Sequence, residues 1–297
     1  MDAQSRLHQP RASVGMPVYN GAKTLAAVVE AVRRQTLADI EIIISDNGST
    51  DATADICLQA VRTDPRVRYY RQPLTVNPTE NFRFVLAQAR APFFMWAAHD
   101  DFRDDDYIEK LIAAFEGNPR VILACGDVVE VTDGVERPIH LDYDTIGISR
   151  TQRLYKAAML QLHHLYGVWR TDELRKIQWR HCDWWHDTPL MMAASQIGNF
   201  KYVPGPRFYY MFTPQRWFFG WQRRPGLSGL IFDLKEFVRR VSSLFEMIWT
   251  SGRAVFAVSG FWYAALAMIF ASAKIYLQIF HFVKSRLGRL FQRALGA

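Results

Sequence analysis

Two adjacent carboxylates, Asp100 and Asp101, stand where the apolar stretch "FFMWAA" (residues 93–98) ends, with His99 just before them. A third acid, Asp46, follows the apolar run Ile40–Ser45 and opens the turn "DNGST". Carboxylates brought into one cleft repel one another and lose hydration, so the arrangement is costly unless a cation or hydrogen-bond donors occupy it. A hard divalent ion answers that need, because Mg²⁺ or Mn²⁺ takes oxygen ligands and completes its shell with water and substrate phosphates. The three acids are therefore expected to gather and seat a metal that holds a diphosphate. An Asp pair after a strand is also a common turn or helix start. Asp104, Asp105 and Asp106 are read that way, as the cap and first turn of "YIEKLIAAFE", and Asp51 as support for its own helix start. His163 and His164 are adjacent and cannot chelate as an i, i+4 pair on a helix does; acceptor-pocket or structural roles suit them better. Arg71 is a further candidate to touch phosphate or base.

These residues need elements that bring them together. "ASVGMPVYN" reads as a short strand ending at Pro17, followed by a helix over Lys23–Gln35 with apolar residues at helical spacing. Ile40–Ser45 is apolar enough for a strand buried on both faces, as parallel strands are. A helix after Asp51, the strand "VRYYRQP", a helix around "TENFRFVLAQAR", the strand "PFFMWAA" and the strand and turn "VILACGDVVEVTDG" continue the alternation. The pattern implies an α/β fold: a Rossmann-like, mostly parallel sheet with helices on both faces. Ligands of such sheets sit beyond the carboxyl ends of the strands, which is where Pro17–Asn20, Asp46–Ser49 and His99–Asp101 all fall.

At 297 residues with 49% apolar content, the chain suits one large domain plus an appendage. Its net charge of +7 is unevenly spread: residues 221–297 hold 11 Lys/Arg against 3 Asp/Glu, residues 1–220 hold 25 against 26. The split suggests a domain over 1–220 and a basic helical region over 221–297. "IFDLKEFVRRVSSLFEMIW" and "KIYLQIFHFVKSRLGRLFQRAL" are basic and amphipathic, and Ala254–Ala273 between them is a run of about 20 uncharged residues, the length of a bilayer core. Cationic flanks on both sides of that run favour an in-plane or re-entrant arrangement at the cytoplasmic membrane face over a simple span. A soluble helical subdomain or an oligomer interface is the alternative. Cys57, Cys125 and Cys182 have no disulfide or zinc spacing and fit a reducing compartment. The segment "MDAQSRLHQPRAS" lacks the apolar core of a secretory signal.

"MPVYN", "IIISDNGSTDAT" and "AAHDDF", in that order, resemble the nucleotide-sugar-dependent family 2 glycosyltransferases of the A-type fold, over roughly residues 11–220. The resemblance implies that Asp46 accepts a hydrogen bond from the base, that the backbone at Pro17, Val18 and Tyr19 lines the nucleotide site, that Asp100 lies near ribose and diphosphate, and that Asp101 is the metal ligand, with Mn²⁺ or Mg²⁺ as cofactor. His99 stands where the family usually carries an acid; an imidazole can bind metal or phosphate, or simply pack. "DWWHDTPLMMAAS" is similar to the family's Glu-Asp motif, which makes Asp187 the general base, since an acceptor hydroxyl attacking an anomeric carbon must shed its proton. His186 replaces the Glu, and Trp184 and Trp185 could stack on a sugar or fill the core. His186-Asp187 also reads as the cap of the helix that follows.

The expected function is inverting transfer of a sugar from a nucleotide-sugar donor to a hydroxyl of a lipid-linked glycan at the membrane surface, with a homo-oligomer also possible. A polyprenyl-phosphate acceptor is the alternative within the class. A non-catalytic protein binding nucleic acid or an anionic surface is the alternative outside it, but residues 1–220 are not basic, so nucleic acid is not an expected partner.

Overall fold

The computed structural model describes residues 9–139, 143–159, 162–178, 187–212, 248–257, 259–260 and 262–272. Trp184, Trp185, His186 and Cys182 lie outside the described residues, as do most of the two basic amphipathic stretches.

The first half follows the alternation that the apolar periodicity dictates: β1 (Ala12–Val18), α1 (Leu25–Arg33), β2 (Ile40–Asp46), α2 (Thr53–Thr63), β3 (Val67–Arg71), α3 (Pro78–Gln88) and β4 (Phe93–Trp96). There follow β5 (Phe102–Arg103), α4 (Tyr107–Ala113), β6 (Val121–Thr132), β7 (Val135–Ile139), α5 (Arg150–Met159), a 3-10 turn (Leu162–Tyr166), β8 (Val168–Arg170), α6 (Thr171–Arg175), α7 (Asp187–Ile197) and β9 (Asn199–Met211). The strands form one sheet in the order β3-β2-β1-β4-β8-β6-β9-β5, with β7 on β6.

β3, β2, β1 and β4 run parallel, whereas β8 is antiparallel to both β4 and β6, so the sheet is mixed rather than mostly parallel. The reason lies in the connections. Helices α1, α2 and α3 each carry the chain back to the starting end of the next strand, which keeps β1 to β4 parallel, while β8 is entered from the short 3-10 turn and runs the other way.

Two cores sandwich the sheet. Alternate residues of β1 and β2 (Val14, Met16, Ile42, Ile44) join α1, α2 and α4 on one face. On the other face Ile43, Phe94, Trp96 and Trp169 pack with α3, α5 and α7. The close approach of α3 needs Gly15, where a Cβ would stand 2.7 Å from the Phe94 ring and 2.8 Å from Val85. Glu41 of β2 is buried on this face, and its carboxylate accepts from Ser13 Oγ (2.6 Å), Arg90 N (2.7 Å), Arg68 (2.9 Å) and Arg90 Nε (2.9 Å).

The apolar run Ala254–Ala273 is not one bilayer-length helix. Residues 248–257 and 262–272 are separate helices, with Gly260 between them at φ 83°, a left-handed conformation that suits glycine. No helix among the described residues is long and apolar enough to cross a membrane. The two helices pack on α5 and the adjoining core through Ala254, Val255, Ala267 and Ala271. Arg150 lies 4.7 Å from the Tyr263 ring and donates to Ser259 Oγ (3.2 Å), and Tyr155 meets Phe270 edge-on at 5.4 Å.

Candidate functional site

The turns after β1 and β2 are fastened together. Val18 pairs with Asp46 in register, and the Asn47 N–H donates to Val18 O (2.8 Å). Asn20, in the left-handed region at φ 51°, donates its N–H to Ser49 Oγ (2.9 Å) and accepts from Thr50 N at its own Oδ1 (2.8 Å). Asp51 supports its helix start by accepting from Thr53 N (3.0 Å) and Thr53 Oγ1 (2.5 Å), and it also takes Ala22 N from the neighbouring turn (3.1 Å). Pro17 and Val18 form the strand end, while Tyr19 projects, half exposed.

Asp46 is fully buried. One oxygen accepts from Ser49 N (2.8 Å) and the other from Tyr69 Oη (3.1 Å), with Arg71 Nε 3.8 Å away. Burial and then the Asp46 charge push the Tyr69 hydroxyl well above its usual range. Arg71 also donates to Ser49 O (2.9 Å), so the candidate phosphate or base contact serves here to close the same turn. Gly48 carries that turn through φ 72°.

Asp46, Asp100 and Asp101 do not form one three-ligand metal group. No group of three metal-capable side chains exists among the described residues, and Asp46 is enclosed by its own turn and by Tyr69 of the outer strand β3. Tyr166, at the end of the 3-10 turn, is partly buried; burial raises the pKa of its hydroxyl well above the ordinary value, and the charges of Asp101, Asp187 and Asp100 raise it further. Tyr166 stacks on Phe208 of β9 at 5.4 Å. Asp100 and Asp101 come from the carboxyl end of β4, and Asp187 is the first residue of α7, where the helix N-terminus favours a negative charge.

Asp101 is buried and accepts from the N–H of Met211, the last residue of β9 (2.9 Å). Behind it lies Arg103, wholly buried, over the Phe208 ring at 5.4 Å and donating to Trp96 O (3.3 Å). Burial lowers the Arg103 pKa, against the opposing pull of Tyr107, Asp101 and Tyr166. His99 is placed by Thr24 Oγ1, 3.2 Å from its Nδ1, and packs over Gly21 at the start of α1. Asp104 is not a cap. It accepts from Arg207 N (2.9 Å) and Tyr209 Oη (3.0 Å) and ties the β5 turn to β9.

His163 and His164 separate in role. His164 is buried edge-on against Tyr143 at 4.1 Å. The ring of His163 lies 4.4 Å from that of Tyr210, and its buried Nδ1 has no hydrogen-bond partner. Burial lowers the His163 pKa to about 4, and only the nearby Asp187 opposes this. Tyr166, Arg103 and His163 were not legible as site residues. The doublet His163-His164 draws attention in the sequence, but nothing there separates one His from the other.

The oxygen donors suit a hard divalent ion of the kind that takes one or two protein carboxylates and fills its shell from substrate phosphates. Asp100 and Asp101 supply that number; an all-protein cage of three ligands is absent among the described residues.

Comparison with known proteins matches this architecture. Glycosyltransferase GlyG of Streptococcus pneumoniae is 33% identical over 99 residues, which cover 33% of this chain and 33% of GlyG. The chondroitin synthase of Escherichia coli is 32% identical over 117 residues, 39% of this chain and 16% of the synthase. The match thus spans about a third or less of the length of these curated relatives. Among solved structures, S. aureus TarS 1-349 in complex with UDP-GlcNAc superposes with a TM-score of 0.61 at 14% identity, covering 90% of this chain and 91% of that one, a likeness of fold. The family described as Glycosyl transferase family 2 matches residues 13–171, more than half of the chain, and the protein belongs to that family.

Proposed function

We propose that the protein is an inverting glycosyltransferase that moves a sugar from a nucleotide-sugar donor to a hydroxyl of a lipid-linked glycan at the cytoplasmic face of the membrane. The observation that supports this reading is the buried Asp101, gripped by the Met211 N–H beyond the carboxyl end of β4, in a chain of this family. Asp187 takes the proton of the acceptor hydroxyl, and the freed oxygen attacks the anomeric carbon. The bond from that carbon to the donor diphosphate breaks with its electron pair leaving on the nucleoside diphosphate. One displacement from the opposite face inverts the anomeric centre, and no sugar–enzyme bond forms.

Asp101, with Asp100 beside it, would hold Mn²⁺ or Mg²⁺, whose chemistry is to offset charge on the departing diphosphate. Asp101 is oriented for this by the Met211 N–H. The turn over Pro17–Tyr19 and the Asp46 turn shape the nucleotide end, with Asp46 holding Tyr69 and the Ser49 backbone in place. UDP-GlcNAc bound by TarS makes a uridine diphosphate donor the first to test.

The test is release of nucleoside diphosphate from a panel of UDP- and GDP-sugars, with Mn²⁺ and with EDTA, followed by NMR of the product's anomeric proton. Release that depends on Mn²⁺ and on Asp187, with the configuration inverted, is expected. A product that keeps the donor's configuration would refute the role given to Asp187.

A further inference from the structure

The two helices 248–257 and 262–272 bury one side and present the other. Ser251, Ala254 and Val255 of the first and Ala264, Ala267 and Ala271 of the second are buried, at helical spacing. Gly252 lets the helices touch, since a Cβ there would meet Met268 Cγ at 2.8 Å. The opposite side of the first helix carries Trp249 (62% exposed) and Phe256 (57%), with exposed Arg253 between them at i, i+4, i+7. The second helix adds Trp262 (80%) and Ile269 (60%), also seven apart.

Large apolar side chains held outward on a well-packed element, when clustered, mark an interaction surface. Charge decides what fits it. Residues 248–272 contain no Asp or Glu and one cation, Arg253, inside a C-terminal region with 11 Lys/Arg against 3 Asp/Glu. A second copy would bring like charge against like charge. An anionic lipid surface is complementary, and Trp is the side chain that settles at the level of lipid headgroups.

We propose that this outer side, Trp249, Arg253, Phe256, Trp262 and Ile269, docks into the interface of an anionic lipid bilayer, with the two helices lying on it rather than crossing it. The inference deepens the membrane reading above. Arg150, which holds Ser259 and Tyr263, also donates to Gln196 O of α7 (3.3 Å), so the docked pair is tied to the helix that begins at Asp187. Docking holds α7 at a fixed height over the bilayer, as a hydroxyl acceptor borne on a lipid requires.

The experiment is cosedimentation of the full chain with phosphatidylglycerol-containing vesicles and with pure phosphatidylcholine vesicles, without any sugar donor, so that its outcome is independent of the transfer reaction. Binding to the anionic vesicles is expected, with quenching of tryptophan fluorescence by brominated lipid. Trp249→Ser with Phe256→Ser should weaken binding about tenfold or more, with an unchanged circular dichroism spectrum because both side chains are already exposed. Arg253→Glu should reduce the preference for anionic lipid. Leu74→Ser, at an exposed apolar residue elsewhere, should change nothing. Failure of the native chain to bind, or equal binding by the double variant, overturns the proposal. So does a dimer that the double variant abolishes in the absence of vesicle binding.

Discussion

In the proposed mechanism the chemistry turns on Asp187. Asp187→Asn keeps the size of the side chain and removes its basicity, and is expected to lower transfer about a thousandfold, with donor affinity by calorimetry unchanged. Asp101→Asn should instead weaken Mn²⁺-dependent donor binding, seen in the same titration. His163 offers a separate readout. Its folded pKa, about 4, lies below the ordinary 6.5, so between those values the unfolded chain binds a proton that the folded chain refuses. Stability therefore falls as pH drops through that window, by up to about 3 kcal/mol, and this loss is absent above it. His163→Phe keeps a ring against Tyr210 and removes the titrating group, so urea unfolding across the window should lose most of this acid sensitivity. Asp100 and Asp101 stood out in the sequence because they follow a readable strand, and Asp187 because its motif resembles that of the family. The mutual placement of the acids was not legible. Asp46 proved to be spent on Ser49 and Tyr69, a use that depends on which strand lies next to β2, and no local pattern encodes that neighbour.

Among the elements, β2 carries the largest buried electrostatic commitment. Burial alone would raise the Glu41 carboxyl, but Ser13, Arg90 and Arg68 more than compensate and lower it. Glu41 thereby joins β1, β2, β3 and the end of α3. Glu41→Ala would remove the charged acceptor of Arg68 and Arg90, leaving them Gln88 O and Ser13 Oγ, and should destabilise the fold by about 3 kcal/mol, measured as a shift of the urea midpoint. Because the folded carboxyl is lowered, the stability it contributes is present above its ordinary pKa and fades as pH falls through the folded value. The strand–helix alternation through β4 was readable because each period of apolar residues is long and bounded by turn residues. Beyond β4 the antiparallel entry of β8 was not, since strand direction follows from the path of a connection and leaves no mark in the strand itself. The break at Gly260 was equally hidden within an apolar run that has only glycine's missing side chain to signal it.

For the whole molecule, saturating donor with Mn²⁺ should raise the midpoint of thermal unfolding by about 5 °C, the size expected from ligand at a hundred times its dissociation constant acting on a protein of this length. Absence of any shift with every UDP- and GDP-sugar would contradict the proposed function. The basic C-terminal region was legible as charge and amphipathicity. The docking of helices 248–257 and 262–272 on α5 was not, because the alanines that make the contact look like part of any apolar run.

α7 begins at Asp187, Gly198 links it directly to β9, and β9 ends at Met211, whose N–H holds Asp101. One uninterrupted piece of chain would therefore act as a caliper, with the proposed proton acceptor at one tip and the grip on Asp101 at the other. Its span follows from helix rise, strand rise, the bend at Gly198 and the irregularities along β9. Inserting or deleting a residue between 198 and 211 would reset the jaws, and transfer should fail in such variants even where the sheet still closes.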